Sequence, residues 1–294
     1  MIQYNPKDWF LALFSIHKAD TFRALTPLLL FFIFYSWGIV YLEVEYLKLS
    51  ENSAAKNLNI MHTLLGFAIS MLLVFRTNTA YDRWWEGRKL WGSLVNTSTN
   101  LALKIKTYVD KSRKEDLNFF AKYIPLYSRV LAIHLNKNHL KDFEEIEESK
   151  TFGESTHHPN FVAGQIFKRI DALHKEGVLT GDHLILLNAE MQSLSDICGG
   201  CERIKNTPIP FSYSVFIKKF IFIYVGTLPI GFAFSLHYYT IPVTTFIFYV
   251  LASLELIAEE IEDPFGGDNN DLPLITISKN IKNRVLEIFG LLVK

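Results

Sequence analysis

The chain has 294 residues, enough for one large domain or two small ones, and its 30 basic and 30 acidic side chains cancel. That balance removes any electrostatic reason to expect a nucleic-acid partner. The two cysteines, Cys198 and Cys201, are too few for a disulfide scaffold. Apolar residues make up 49% of the chain, and they are gathered into blocks that point away from an ordinary soluble domain. The start, Met-Ile-Gln-Tyr-Asn-Pro-Lys-Asp, lacks the charged, apolar, small-residue order of a cleaved signal peptide, so none is expected.

A bilayer core of roughly 30 Å needs about 20 apolar helical residues. No Lys, Arg, Asp or Glu occurs from Ala24 to Leu42, nor from Asn57 to Phe75. A third run, Phe220 to Leu254, has none in 35 residues. As one helix it would reach about 52 Å, so it is expected to turn, at Pro242, where proline interrupts helical hydrogen bonding. Four spans result, approximately 24–42, 57–75, 220–240 and 242–258. Buried core helices of a soluble protein are the competing explanation, but such helices usually carry only about 10–14 apolar residues.

The basic flanks set an orientation. Lys18 and Arg23 precede the first span, Arg76, Arg83, Arg88 and Lys89 follow the second, and Lys218 and Lys219 open the third. The loop between the first two spans carries Glu43, Glu45 and Glu51 against Lys48 and Lys56. A multi-pass protein of the cell membrane (inner or plasma membrane) follows, with both termini and residues 77–215 on the cytoplasmic side. In that middle region, Leu184, Leu187, Met191 and Leu194 recur at helical spacing, residues 141–165 read as a loop, and no alternating strand pattern is present. The expected fold class is therefore all-α: four transmembrane helices plus a cytoplasmic helical bundle.

Three clusters carry further information. The second span runs into Arg76-Thr-Asn-Thr-Ala-Tyr-Asp-Arg-Trp-Trp-Glu-Gly-Arg-Lys-Leu-Trp91, either as interfacial anchors or as a packed network of ion pairs and guanidinium–indole contacts. Within the span, Phe67, Met71 and Phe75 are four apart and share one helix face, while Gly66, Ala68 and Ser70 keep neighbouring positions small. Spacing alone favours an ordinary buried stripe over an apolar ring around a pore. After the fourth span, the carboxylates from Glu259 to Asp271 cannot lie in lipid. Asp268 and Asp271 flank two Asn in a Gly-rich turn and offer hard oxygen ligands for calcium, without the spacing of an EF-hand; chemistry alone favours a solvated acidic turn over a cation site.

These segments resemble the bestrophin family, membrane ion channels assembled as pentamers. The likeness is carried by Arg76–Trp91, by Gly199-Gly200-Cys201-Glu202-Arg203 with Thr207-Pro208-Ile209-Pro210-Phe211, and by Glu259 to Pro273. The order of spans agrees, and the end of the sequence just past the last expected helix suggests a short prokaryotic-type member. The resemblance implies a single channel domain over 1–294 and a homopentamer around one central pore, so that each chain's partners are four further copies, the lipid bilayer and monovalent ions.

It further implies a pore neck at Phe67, Met71 and Phe75, one residue per helical turn. A second, cytoplasmic constriction falls near Asp182, with His183 as the alternative. An acid there would replace an apolar residue. The calcium clasp of animal members falls on Glu260, Asp263, Asp268 and Asp271 with an N-terminal residue near Gln3. No cofactor is required by this reading, and calcium stays open.

The function so implied is passive conduction of small monovalent ions with no enzymatic step. Animal members favour anions, as chloride channels, whereas a prokaryotic member is as readily a cation channel. Two other classes stand beside it: a non-conducting membrane assembly or regulatory protein, and a membrane-bound metalloenzyme centred on His157-His158 or Cys198/Cys201.

Overall fold

The computed structural model describes residues 20–48, 58–136, 157–268 and 270–291. Eight α-helices order the described residues: α1 (Asp20–Val40), α2 (Leu58–Tyr108), α3 (Lys114–Leu135), α4 (His158–Lys175), α5 (Gly181–Asn206), α6 (Phe211–Leu236), α7 (Thr240–Glu262) and α8 (Leu274–Phe289). A π-helical turn, Tyr41–Tyr46, extends α1. The described residues contain no strand, in agreement with the all-α expectation.

The chain divides into two compact units. One comprises the residues up to Asp82 with Ile209–Glu262; the other comprises Arg83–Pro208 with Asp263 onward. Among the described residues, three helical stretches are long and apolar enough to cross a bilayer: Thr21–Tyr46, Ile60–Tyr108 and Phe211–Glu262. The last is interrupted by a single 3₁₀ turn, His237–Tyr239. The interruption thus precedes Pro242 instead of falling on it, so the span ends expected at 240 and 242 lie at Leu236 and Thr240. Pro242 is the third residue of α7, in the first turn, where the missing N–H costs no helical bond. The strain sits at His237, with φ +47°, in a region that side chains other than Gly rarely adopt.

In the apolar unit, α1 packs on α7 and α6, and α6 packs on α7. Its core joins Leu25, Leu29 and Phe32 of α1 to Ile69 and Leu73 of α2, Ile217, Ile221 and Val225 of α6, and Phe248 of α7. Gly66 leaves room for a side chain of α6: a Cβ there would meet the Tyr224 hydroxyl at 2.8 Å.

The most unusual member of this unit is Arg76, fully buried. Its Nη2 donates to Glu262 Oε2 at 2.7 Å, and its Nε lies 3.4 Å from the Glu255 carboxylate. Glu262 Oε1 in turn accepts from the Ile209 N–H at 2.6 Å. Burying an ion is costly unless its partners are in place, and removing one partner leaves an uncompensated charge.

In the other unit, the core gathers Trp91, Leu94, Leu101 and Ile105 of α2 with apolar faces of α3, α4, α5 and α8. Leu187, Met191 and Leu194 of α5 are buried there as helical spacing predicted, and Leu184 packs at the margin. Arg83 donates to the carbonyls of Ile204 and Thr207, each at 2.6 Å, neutralising the C-terminal end of α5.

We predict that Arg76→Ala destabilises the purified protein by about 3–5 kcal/mol, the cost typical of breaking a buried ion pair from one side. Equilibrium unfolding in detergent checks this. A midpoint equal to the parent's would show that the pair does not hold this unit together.

Candidate functional site

The expected neck residues are brought to one apolar face that the chain leaves uncovered. Phe67, Met71 and Phe75 are 70%, 43% and 56% exposed, and Ile60, Leu64 and Val74 extend the same surface. His62, Ile69, Leu73, Arg76 and Ala80 of the same helix are buried. At 3.6 residues per turn, Ile69 and Leu73 stand roughly 200° from Phe67 and Met71. The helix is therefore sharply two-faced, with one side in the core of its unit and the other bare. A plain buried stripe, the explanation spacing favoured, is not what the fold makes of these three residues.

The Arg76–Trp91 segment carries the ion pairs of the network reading. Arg76 pairs with Glu255 and Glu262, and Arg83 reaches the end of α5. Glu86 lies 2.5 Å from Arg203, and the Trp84 indole donates to the Asn270 carbonyl at 3.1 Å. Trp91 is fully buried in the core. Gly87 faces the turn after α7, where a Cβ would crowd Phe265 and Pro264 at 3.1–3.2 Å. A side chain there would push Phe265 or Pro264 aside by a few tenths of an ångström.

Asp182 and His183 lie in the first turn of α5, beside one another but in different circumstances. Asp182 is exposed. His183 belongs to the helix start: Thr180 accepts from its N–H and the Thr180 N–H donates back to its Nδ1, a capping box. Its ring also stacks on Tyr108 with centroids 4.2 Å apart. Just beyond this turn, Ile185 and Leu186 are large apolar side chains left exposed, Ile185 the more so at 73%. The signal for it was present in the sequence. In Leu184-Ile185-Leu186-Leu187, Ile185 falls off the stripe of Leu184, Leu187, Met191 and Leu194.

The acidic loop closes on itself around Asp271, which is 3% exposed. Asp271 Oδ2 accepts from the Asp268 N–H at 2.6 Å and from the Gly267 N–H. Its Oδ1 is buried without a partner among the described residues. Burial pushes the carboxyl up to about 6, although the two N–H donors act the other way. Asp263 Oδ1 accepts from the Phe265 N–H at 3.2 Å. A Cβ on Gly266 would meet Asp263 Oδ2 at 3.2 Å and Asp271 Oδ2 at 3.3 Å, so two carboxylates flank the same small space. A buried orphan oxygen beside a second carboxylate is donor chemistry that suits a hard cation. Asp268 contributes its N–H and keeps its side chain exposed. Glu260 belongs to the last turn of α7 in the other unit, and Gln3 lies outside the described residues.

Cys198 and Cys201 are free and buried. Burial pushes both thiols up to about 12, which leaves little of the thiolate that a nucleophilic cysteine needs. They pack in the core.

Comparison with known proteins gives a consistent result. Residues 1–287 match the model of the family described as Bacterial/Fungal Bestrophin protein. The chain is 30% identical over 292 residues to the voltage-dependent anion channel-forming protein YneE of Escherichia coli K12, covering 98% of this chain and 94% of that one. It is 33% identical over 233 residues to the voltage-dependent anion channel-forming protein alr2987 of a Nostoc species, covering 77% and 76%. Among solved structures, it superposes on a bacterial bestrophin homologue from Klebsiella pneumoniae, phased with zinc, at a TM-score of 0.79 and 28% identity, covering 90% and 98%. The two-faced α2, the Arg76 network and the acidic loop thus lie within a matched region that spans nearly the whole sequence, and the chain belongs to the bacterial and fungal bestrophin family.

Proposed function

We propose that this protein is a homopentameric channel that passes small monovalent ions down their gradient, with Phe67, Met71 and Phe75 of five copies forming a hydrophobic neck. The observation that carries this reading is the bare apolar face of α2. A monomer in water does not leave Phe67, Met71 and Phe75 uncovered without reason, and lipid or symmetry-related copies are the available surroundings. A ring of copies turns that face toward one axis, where apolar constrictions gate by dewetting.

In this reading α1, the first half of α2, α6 and α7 are the four spans, and both termini are cytoplasmic on the charge rule. No covalent chemistry is involved, and no enzyme centre is needed. The buried, unreactive thiols speak against the cysteine-centred form of the metalloenzyme alternative. A non-conducting assembly would use the same apolar faces, and flux separates it from a channel.

At the cytoplasmic exit we assign the apolar ring to Ile185, with Asp182 beside it. Two observations bear on selectivity from opposite sides. The relatives are named as anion channel-forming, and this supports anions. An exposed Asp182, repeated fivefold, attracts cations and repels anions. A calcium ion is also proposed at the acidic loop, held by Asp263 and Asp271 and supplying positive charge where two carboxylates crowd together; Asp268 fits it less well.

Three outcomes are expected. Replacing Phe67, Met71 and Phe75 together by Ala raises ion flux from liposomes at least several-fold; parental flux with parental gating would assign the stripe to packing. In planar bilayers under a salt gradient, Asp182→Asn moves the reversal potential toward the anion limit, and an unmoved potential takes the acid off the ion path. Calcium at about a hundredfold excess over its Kd stabilises the parent by about 2.7 kcal/mol and leaves Asp263→Asn/Asp271→Asn unaffected. An unshifted melting temperature for the parent would dispose of the calcium site.

A further inference from the structure

Away from the neck and the acidic loop, three side chains converge on one point. His134 comes from the last turn of α3, His157 caps the start of α4, and Glu202 projects from α5. The Nε2 atoms of His134 and His157 lie 2.7 Å and 2.9 Å from the same oxygen, Glu202 Oε1. One ligand atom from each of the three falls within 4.8 Å of the others. The imidazole centroids are 4.9 Å apart, with the rings tilted. All three residues are half-buried.

We propose that His134, His157 and Glu202 bind a transition-metal dication of the zinc type. Two imidazoles and a carboxylate form a donor set of the right hardness and number for zinc, with one position left open. The open position has room, since Glu202 also lines a cavity of about 410 Å³ with Asn160, Ser195 and Gly199. Tetrahedral zinc with bonds of about 2.0–2.1 Å needs ligand atoms about 3.3 Å apart. The two histidine–carboxylate distances therefore open by a few tenths of an ångström on loading.

Coordination through Nε2 places the imidazole proton of His157 on Nδ1. His157 then gives up the bond it accepts from the Asn160 N–H at 3.2 Å. That N–H sits at an exposed helix start, where water replaces the lost acceptor.

The consequence is structural. His134 and His157 lie on either side of residues 137–156, so one metal ion fastens both ends of that segment to α5. Nearby, Lys205 of α5 donates to the carbonyls of His134 at 3.1 Å and of Leu135. The metal adds a tie to a junction where α5 already holds the end of α3. Neither the neck nor the acidic loop shares a ligand with it.

The test is titration of zinc chloride into chelator-stripped, purified full-length protein. One zinc per chain is expected. His134→Ala/Glu202→Gln loses at least tenfold in affinity, whereas Asp263→Asn/Asp271→Asn keeps the parental value. Zinc-edge X-ray absorption on the parent, which needs no variant to fold, should give nitrogen and oxygen neighbours at about 2.0–2.1 Å. Absence of zinc binding by the parent, unchanged affinity in the His134/Glu202 variant, or sulfur at about 2.3 Å, which would indicate Cys198 or Cys201, each overturns the proposal.

Discussion

A buried arginine fixes the face that α2 shows to its surroundings. Arg76 has no exposure, and its charge is tolerable only beside Glu255 and Glu262, both carried by α7. Because the guanidinium must meet those carboxylates, α2 cannot rotate about its axis within its unit. Ile69 and Leu73 are committed to the same side, and Phe67, Met71 and Phe75 are left on the other. Apolar contacts alone set helix rotation weakly, since one apolar side chain substitutes for another with modest loss. An ion pair with defined geometry has no such latitude. The proposed neck is thus specified by a polar interaction on the far side of its own helix.

Much of this was legible in the sequence, and the rest was not, for identifiable reasons. Uncharged runs of bilayer length gave the spans, because water and lipid sort whole segments by composition. The helical stripe of Leu187, Met191 and Leu194 gave a buried face of α5. The partners of Arg76 were invisible because Glu255 and Glu262 lie 179 and 186 positions away and pair only through the packing of α7. The break in the long apolar run was legible but falls at His237–Tyr239, a few residues before Pro242, because a first-turn proline is compatible with a helix. The engagement of His183 with the helix cap and with Tyr108 was not legible either, because Tyr108 lies far away in the sequence. The convergence of His134, His157 and Glu202 was unreadable for the same reason as Arg76: three helices bring it together.

The polar groups of the second unit divide by chemistry. Asp263 and Asp271 offer hard oxygens with one orphan buried atom, the setting proposed for a calcium-like ion. His134, His157 and Glu202 offer mixed nitrogen and oxygen donors, the setting for a zinc-like ion. Cys198 and Cys201, the softest ligands in the chain, are kept protonated by burial and join neither. That inertness is useful experimentally, because a thiol placed elsewhere reacts without competition from the native cysteines.

The most direct test of the neck uses that property. Met71→Cys is introduced into the full chain, and current is recorded in planar bilayers while a charged, water-soluble thiol reagent is added. If Phe67, Met71 and Phe75 line the ion path, the reagent blocks or alters the current of Met71→Cys and leaves the parent untouched. A Met71→Cys channel that conducts normally and ignores the reagent would contradict the assignment of this face to the pore.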